Sequence, residues 1–302
     1  MPEASAGEAW HADAVFDALD HVILAVRDLA DATRRYATLF ARRPSWRGEH
    51  PGQGTANTLF KLHNTYLELI AVAGEGPTAS LLSARLDARG EGLVGLAFAT
   101  RDADAARAEL AARGLDPAPV APGLGRDADS GLIRRWRNVM LPAAHTRGVL
   151  LFAIEHGSPD LLPDAAPVGP ADAVISGIDH VVVQTPDAEA AIALYRDRLG
   201  LRLALDRSFP DWGMRLVFLR VGGVTVELAQ PLRDAPQHSE VDELWGISWR
   251  VPDAQAARAR LAEAGLDVSE VRPGRKPGTR VISVKDGTCG VPTLLIEPVK
   301  EP

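Results

Sequence analysis

The sequence predicts an α+β fold of four βαβββ modules, paired into two domains with curved, cleft-forming sheets. Three observations carry this. The segment LDHVILAVRDLADATRRYATLF, from Leu19 to Phe40, reappears as IDHVVVQTPDAEAAIALYRDRLG, from Ile178 to Gly200. The closing strands repeat as well, TYLELIAV (Thr65 to Val72) against VTVELAQP (Val224 to Pro231). Between the halves, Pro159, Pro163, Pro167 and Pro170 break the pattern and mark an extended linker. Internal repetition of this kind fixes architecture before local detail does.

Each unit opens on an aliphatic, β-branched run that reads as a buried strand. Asp28 and Asp187 then stand at N-cap positions before stretches of helical period. TANTLFKLH in the first copy, and LRLALDRSF and MRLVFLRVG in the second, are the strand candidates between helix and closing strand. Two weaker copies are also present: LVGLAFATRDADAARAELAARG with IRRWRNVML and GVLLFAIEH, and WGISWRVPDAQAARARLAEAG with TRVISVKDG and PTLLIEPV. A lone module leaves one face of its sheet bare, whereas two side by side bury their helices outside and enclose a concave site. The expected organisation is a disordered segment 1–16, a first domain 17–156, a linker 157–176 and a second domain 177–302.

Composition narrows the function. The 302 residues are 46% hydrophobic and 24% charged, as in a folded globular chain. A formal charge of −7 argues against nucleic-acid binding. Cys289 is the single cysteine, so neither a disulfide framework nor a cysteine-based zinc cluster is possible within the chain. The longest apolar runs fall far short of the ~20 residues that span a bilayer. The N-terminal stretch is acidic where a signal peptide is basic. The expectation is a cytoplasmic protein, monomer or homodimer, that acts on a small molecule and not on a membrane.

The DHV opening and the ELI or ELA closing strand resemble the vicinal oxygen chelate superfamily, which includes glyoxalase I, methylmalonyl-CoA epimerase, extradiol dioxygenases and bleomycin-resistance proteins. The first domain resembles an uncharacterised glyoxalase-like group, whose HPGxGTxN and YLELIAV patterns stand here as His50 to Asn57 and Tyr66 to Val72. The resemblance implies two glyoxalase-like domains. It also implies a divalent metal (Zn, Fe, Mn, Ni or Co) held by a first-strand His and a last-strand Glu of each module. Imidazole and carboxylate suit such ions, and open positions would receive vicinal substrate oxygens.

Modules one and three carry that pair, His21 with Glu68 and His180 with Glu227, each 47 positions apart. Modules two and four place Gly95 and Gly246 at the His position, and Phe152 and Leu294 at the Glu position. Glu155 and Glu297 lie three residues past it, and an odd offset turns a strand side chain to the other face. Each domain thus holds half a ligand set, unless modules one and three combine theirs in a single site. Among other candidates, His50, Thr55 and Asn57 border a Gly-rich turn suited to a polar ligand. Arg135 and Arg137 share a strand face that would offer cations to a carboxylate-bearing ligand, and Trp249, on one face with Trp245, would wall the second cleft. The resemblance points to a metal-dependent lyase or isomerase, with Glu68 and Glu227 as bases that favour an enolate-like intermediate. The alternative is a non-catalytic binding protein of the bleomycin-resistance type.

Overall fold

The computed structural model describes residues 15–232 and 241–299. The first module runs β1 (Ala18–Ala25), α1 (Leu29–Phe40), β2 (Trp46–His50), β3 (Thr55–Lys61) and β4 (Tyr66–Val72). Helix α2 (Pro77–Arg89) leads to the second: β5 (Gly92–Ala99), α3 (Ala103–Ala112), β6 (Ala121–Asp127), β7 (Ile133–Met140) and β8 (Leu150–His156). The third comprises β9 (Gly177–Gln184), α4 (Ala188–Ile192), which continues as a π-helical turn to Arg198, then β10 (Arg202–Phe209), β11 (Met214–Val221) and β12 (Val224–Pro231). The fourth has β13 (Glu243–Arg250), α5 (Ala254–Glu263), β14 (Arg272–Pro273), β15 (Arg280–Val284) and β16 (Thr293–Glu297).

One device starts the helix of every module. Asp28, Asp102, Asp187 and Asp253 sit in extended backbone, and their carboxylates accept from backbone N–H groups two or three residues on. Each satisfies donors that the first helical turn leaves free.

Within a module the first strand pairs parallel to the last, β1 with β4 and β9 with β12; between modules the first strands pair antiparallel, β1 with β5 and β9 with β13. The N-terminal sheet closes into a barrel, β1-β4-β3-β2-β6-β7-β8-β5, through a short seam that sets Gly48 opposite Asp127 and Glu49 opposite Arg126. The C-terminal sheet stays open, with β10 at one edge and the two-residue β14 at the other. Both sheets send their outer faces into one apolar core, where Phe40 meets Trp249 at 4.6 Å. Arg260 of α5 donates to the Thr38 and Leu39 carbonyls at the end of α1, which ties the domains together.

Four expectations change here. Residues 1–14 of the segment expected to be disordered lie outside the described residues, but Phe16 is buried and stacks on Phe98 at 4.8 Å. The linker is strapped to the first domain, since Arg42 donates to the carbonyls of Ala165 and Ile175 and Lys61 to that of Leu162. Helix α2 is an element that the repeat does not predict. Its Leu82 and Leu86 enter the barrel interior and pack with Ile23, Ile70, Phe152 and Ile154. Trp249 walls no cleft: it is fully buried on the helix side, while Trp245 is exposed. The bulge at Trp245, between Leu244 and Gly246 of β13, breaks the period-two alternation that would have put both on one face.

The barrel's inner wall depends on close approach at glycines. The Trp136 indole lies so close over β6 that a Cβ at Gly123 would stand 2.1 Å from its Nε1. Gly123→Ala therefore expels the indole or bends the strand, at a cost of about 1–3 kcal/mol. The expected observation is a lower urea midpoint with an unchanged slope, and a midpoint equal to the parent's would refute this packing.

Candidate functional site

The candidate site begins with a bulge. In the pairing of β1 with β5 the register slips between Leu19 and His21, which leaves Asp20 as the extra residue. A bulge re-aims side chains, and here it brings Asp20 beside its neighbour: Asp20 Oδ1 lies 2.7 Å from His21 Nδ1. The other carboxylate oxygen lies 2.9 Å from His156 Nε2. Burial pushes the Asp20 carboxyl up, but hydrogen bonds from His156 and His21 overcome it and hold the group well below the ordinary carboxylate range. An ionised Asp20 places the neutral His21 proton on Nδ1 and leaves the Nε2 lone pair free.

That lone pair points into the barrel, where Nε2 lies 3.5 Å from Glu68 Oε2. Glu68 Oε1 accepts from Asn57 Nδ2 at 2.7 Å and lies 3.8 Å from His50 Nε2. Asn57 Nδ2 also lies 3.2 Å from His50 Nε2, and His50 Nδ1 lies 2.9 Å from Thr55 Oγ1. An amide nitrogen can only donate, so His50 Nε2 is the accepting nitrogen and Nδ1–H faces Thr55. Burial pushes the His50 imidazole below its ordinary range, with Glu68 opposing and Arg134 reinforcing the shift. His21, Asn57 and Glu68 are buried, and Tyr66 stacks on His21 at 4.4 Å. The structure thus gathers His21, His50, Thr55, Asn57 and Glu68 in one cluster.

The facing module adds no carboxylate. Phe152, at the Glu position, sets its ring edge-on to His21 at 5.7 Å. Glu155 turns to the outer face, where it accepts from the Ala103 N–H at the start of α3 and from Arg137. Arg137 also pairs with Asp104, and Arg135 is exposed, so neither lines the cleft. The inward residues of β7 are those of the opposite phase, Arg134, Trp136 and Met140. Val139 anchors that phase, because its burial in the core turns the odd-numbered positions outward. Arg134, Asp20 and Tyr66 are the site residues that sequence reasoning missed. The repeated Asp-His dipeptide was the available signal for Asp20; nothing in the alternating arginines marked the phase.

The C-terminal domain repeats the opening and then departs. Asp179 is again the bulged residue, with Oδ2 3.0 Å from His180 Nδ1, and His180 Nε2 lies 3.5 Å from Glu227 Oε2. Ser248 Oγ, however, stands 2.8 Å from His180 Nε2, so its hydroxyl occupies the lone pair that a metal would need. Gly246 offers no donor, and a Cβ there would lie 2.9 Å from the Pro292 carbonyl oxygen. Glu297 caps α5 through the Ala254 N–H and binds Arg280 on the outer face. Burial raises the Glu227 carboxyl, partly opposed by His180 and Arg275.

Among the described residues no group of three or more His, Cys, Asp or Glu side chains is drawn tightly enough to be a ready-made metal cage. The two domains differ in how far they fall short. Donors ~2.1 Å from one shared ion lie roughly 3.0–3.4 Å apart. The Glu68 oxygens lie 3.5 and 3.8 Å from the two imidazole nitrogens, so two nitrogens and a carboxylate gather near one point without reaching that spacing. This donor chemistry fits a divalent ion of the Zn, Fe, Mn, Ni or Co type. The His180 and Glu227 pair does not fit: among the described residues it brings together two donors, against three in the N-terminal barrel. Nor do modules one and three merge their ligands, since each pair is joined within its own sheet.

A family model described as "Glyoxalase-like domain" matches residues 19–172, and one described as "Glyoxalase/Bleomycin resistance protein/Dioxygenase superfamily" matches residues 179–282. The chain is 30% identical over 131 residues to an ethylmalonyl-CoA/methylmalonyl-CoA epimerase of Cereibacter sphaeroides, a match that covers 41% of this chain and 90% of the relative. It is 30% identical over 129 residues to the mitochondrial methylmalonyl-CoA epimerase of Homo sapiens, over 40% and 66% of the two chains. Among solved structures, a variant of 4-hydroxymandelate synthase from Streptomyces coelicolor superposes with a TM-score of 0.65 at 14% identity, covering 95% of this chain and 94% of that one. A hypothetical protein from Staphylococcus aureus does so with 0.63 at 11%, covering 92% and 98%. These two likenesses show the fold.

The Asp-His pairs carry a pH signature. Burial raises the Asp179 carboxyl, but His180 and Arg250 outweigh it and the group is held down to about 2, against an ordinary 3.8. A depressed carboxylate stabilises the fold fully above its unfolded value and loses that effect as pH falls through the folded one. Asp179→Asn is expected to cost on the order of 1–2 kcal/mol at neutral pH. In urea titrations from pH 7 down to pH 2 the gap between variant and parent should close below about pH 4; a constant gap would contradict the assignment.

Proposed function

We propose a function from the premise that this chain belongs to the glyoxalase-like family of the vicinal oxygen chelate superfamily: its N-terminal domain is a proton-transfer site of the lyase or isomerase class. The substrate is a small oxygenated compound, and the C-terminal domain supports the fold without an ion of its own. The observation that carries this reading is the arrangement of His21 and His50, each with Nε2 directed toward one oxygen of Glu68, inside a closed barrel. In the C-terminal domain the corresponding nitrogen is bound by Ser248.

His21, His50 and Oε1 of Glu68 would hold the divalent ion. When bound, such an ion polarises a substrate carbonyl and lowers the cost of charge that develops beside it. The remaining work falls to the protein. Glu68 Oε2 accepts no hydrogen bond among the described residues, while Oε1 is pinned by Asn57. Oε2 is thus the free basic atom. It takes the proton from the carbon next to the substrate carbonyl, and the same carboxyl returns it. Asn57 fixes the carboxylate plane and the His50 tautomer, whose Nδ1–H donates to Thr55, and Asp20 fixes that of His21. Leu82 and Leu86 of α2, with Phe152 and Ile154, form a dry floor, and a dry surround strengthens each of these polar interactions. The named relatives are epimerases, which move a proton at carbon, and the reading agrees with them in reaction class.

Elemental analysis of the protein after exposure to Zn, Fe, Mn, Ni and Co tests the site. A single ion per chain is expected, absent from His21→Ala and retained by His180→Ala. Asp20→Asn, which frees the His21 ring to change tautomer, should weaken ion affinity by about 10- to 100-fold. Uptake of none of the five ions, or uptake that survives His21→Ala, would turn the reading toward a binding protein with remnant ligands.

A further inference from the structure

The barrel holds polar atoms that the chemistry above does not use. Arg134 is 5% exposed, its Nε is buried without an acceptor, and its guanidinium forms no ion pair among the described residues. The face of Trp46 lies against it, 5.4 Å from the guanidinium carbon. A buried, unpaired charge is strongly destabilising unless something pairs with it. The barrel's own carboxylates are committed elsewhere, Asp20 to His21 and His156 and Glu68 to Asn57.

Two acceptors stand open on the same inner surface. Asn57 Oδ1 is buried without a donor, and its orientation is fixed: a flipped amide would set that oxygen against Glu68 Oε1. Asn138 Oδ1, four residues from Arg134 along β7 and of the same phase, is also buried without a donor. The other two unpartnered buried atoms among the described residues, Tyr195 Oη and Trp249 Nε1, belong to side chains of the apolar core. Of the unmet atoms on this inner surface, Arg134 offers a cationic donor and Asn57 Oδ1, which stands beside Glu68, an acceptor for a ligand.

From this juxtaposition we infer that the barrel receives a small carboxylate with a hydroxyl beside it. The carboxylate pairs with Arg134, and the hydroxyl donates to Asn57 Oδ1. The inference rests on the reading of this barrel as the substrate site and names the class of substrate. A guanidinium presents a planar fork that matches a carboxylate. A phosphate would fit the fork as well, but its second negative charge would enter a barrel that already holds Glu68 and Asp20. The closed β2–β6 seam favours a compact molecule.

Thermal unfolding of the whole chain, stripped of metal, tests this with four probes: lactate, propionate, propane-1,2-diol and inorganic phosphate. Lactate is expected to raise Tm with concentration, as binding to the native state must. Propionate should bind about 10-fold more weakly, because it leaves the amide acceptor unpaired, and the diol should give no shift. Arg134→Met should abolish the lactate shift while leaving the Tm of the free protein equal to or above the parent's, since it removes an uncompensated charge. A lower Tm for free Arg134→Met would show a structural arginine and overturn the proposal. So would equal responses to lactate and the diol, tighter binding of phosphate than of lactate, or no response to any probe. Ion uptake by the same samples separates the two readings. Lactate binding without ion uptake overturns the proton-transfer reading alone, and ion uptake without lactate binding overturns this one alone.

Discussion

A hydrogen bond between neighbours in sequence governs the site. Adjacent residues of a regular strand point to opposite faces, so Asp20 and His21 could not meet on one. The bulge removes that restriction. The same break recurs in every module, at Asp20, Val94, Asp179 and Trp245, each immediately before the position that corresponds to the strand-opening His. The scaffold therefore provides four re-aimed positions, and only two are filled by an Asp-His pair. In those two, a carboxylate held ionised selects the tautomer that presents Nε2 to the sheet's inner face.

Beyond this shared opening the two halves diverge, and the causes are local. The N-terminal sheet adds His50 from the end of β2 and Asn57 from β3, both on the inner face and both against Glu68. The C-terminal sheet adds Ser248 from β13, directly opposite His180 in register, and its hydroxyl satisfies the ring. The vacant partner positions are unequal too. A Cβ at Gly95 would stand 2.9 Å from a Leu150 methyl and 3.2 Å from the Leu150 carbonyl oxygen, and one at Gly246 would stand 2.9 Å from the Pro292 carbonyl oxygen, the tighter backbone approach of the two. Closure completes the contrast: the seam between β2 and β6 closes one sheet into a barrel, while the two-residue β14 leaves the other sheet open.

Much of this was legible in the sequence because repetition exposes equivalent positions. The equal spacing of His21–Glu68 and His180–Glu227 placed each pair on neighbouring parallel strands, and strand alternation put Glu155 and Glu297 on the helix face, where both cap helices. Legibility ended where phase mattered. IRRWRNVM carries polar residues on both faces, so pattern alone could not say whether Arg134 or Arg135 pointed inward; the packing of Val139 decides it. The expected place of Trp249 fails for a related reason, since a bulge resets alternation without any mark in the residue types. Helix α2 is hidden by its exposed Leu81, which obscures the inward spacing of Ala79, Leu82 and Leu86.

The separation of Arg134 from Glu68 is the most informative choice in the molecule. Both are buried in one barrel with opposite charges, and a salt bridge between them would relieve the cost of each. It would also remove the cation and the base in the same step. The packing prevents this: Trp46, lying close over Gly48, takes the guanidinium on its face, and Asn57 holds the carboxylate from the other side. Trp136, edge-on to His50 at 5.9 Å, rises from the strand position two beyond Arg134. The two groups are kept apart, Glu68 held by Asn57 and Arg134 left without an anionic partner among the described residues. Such an arrangement is the form that preorganisation takes in a site where charge must be met by a ligand rather than by the protein.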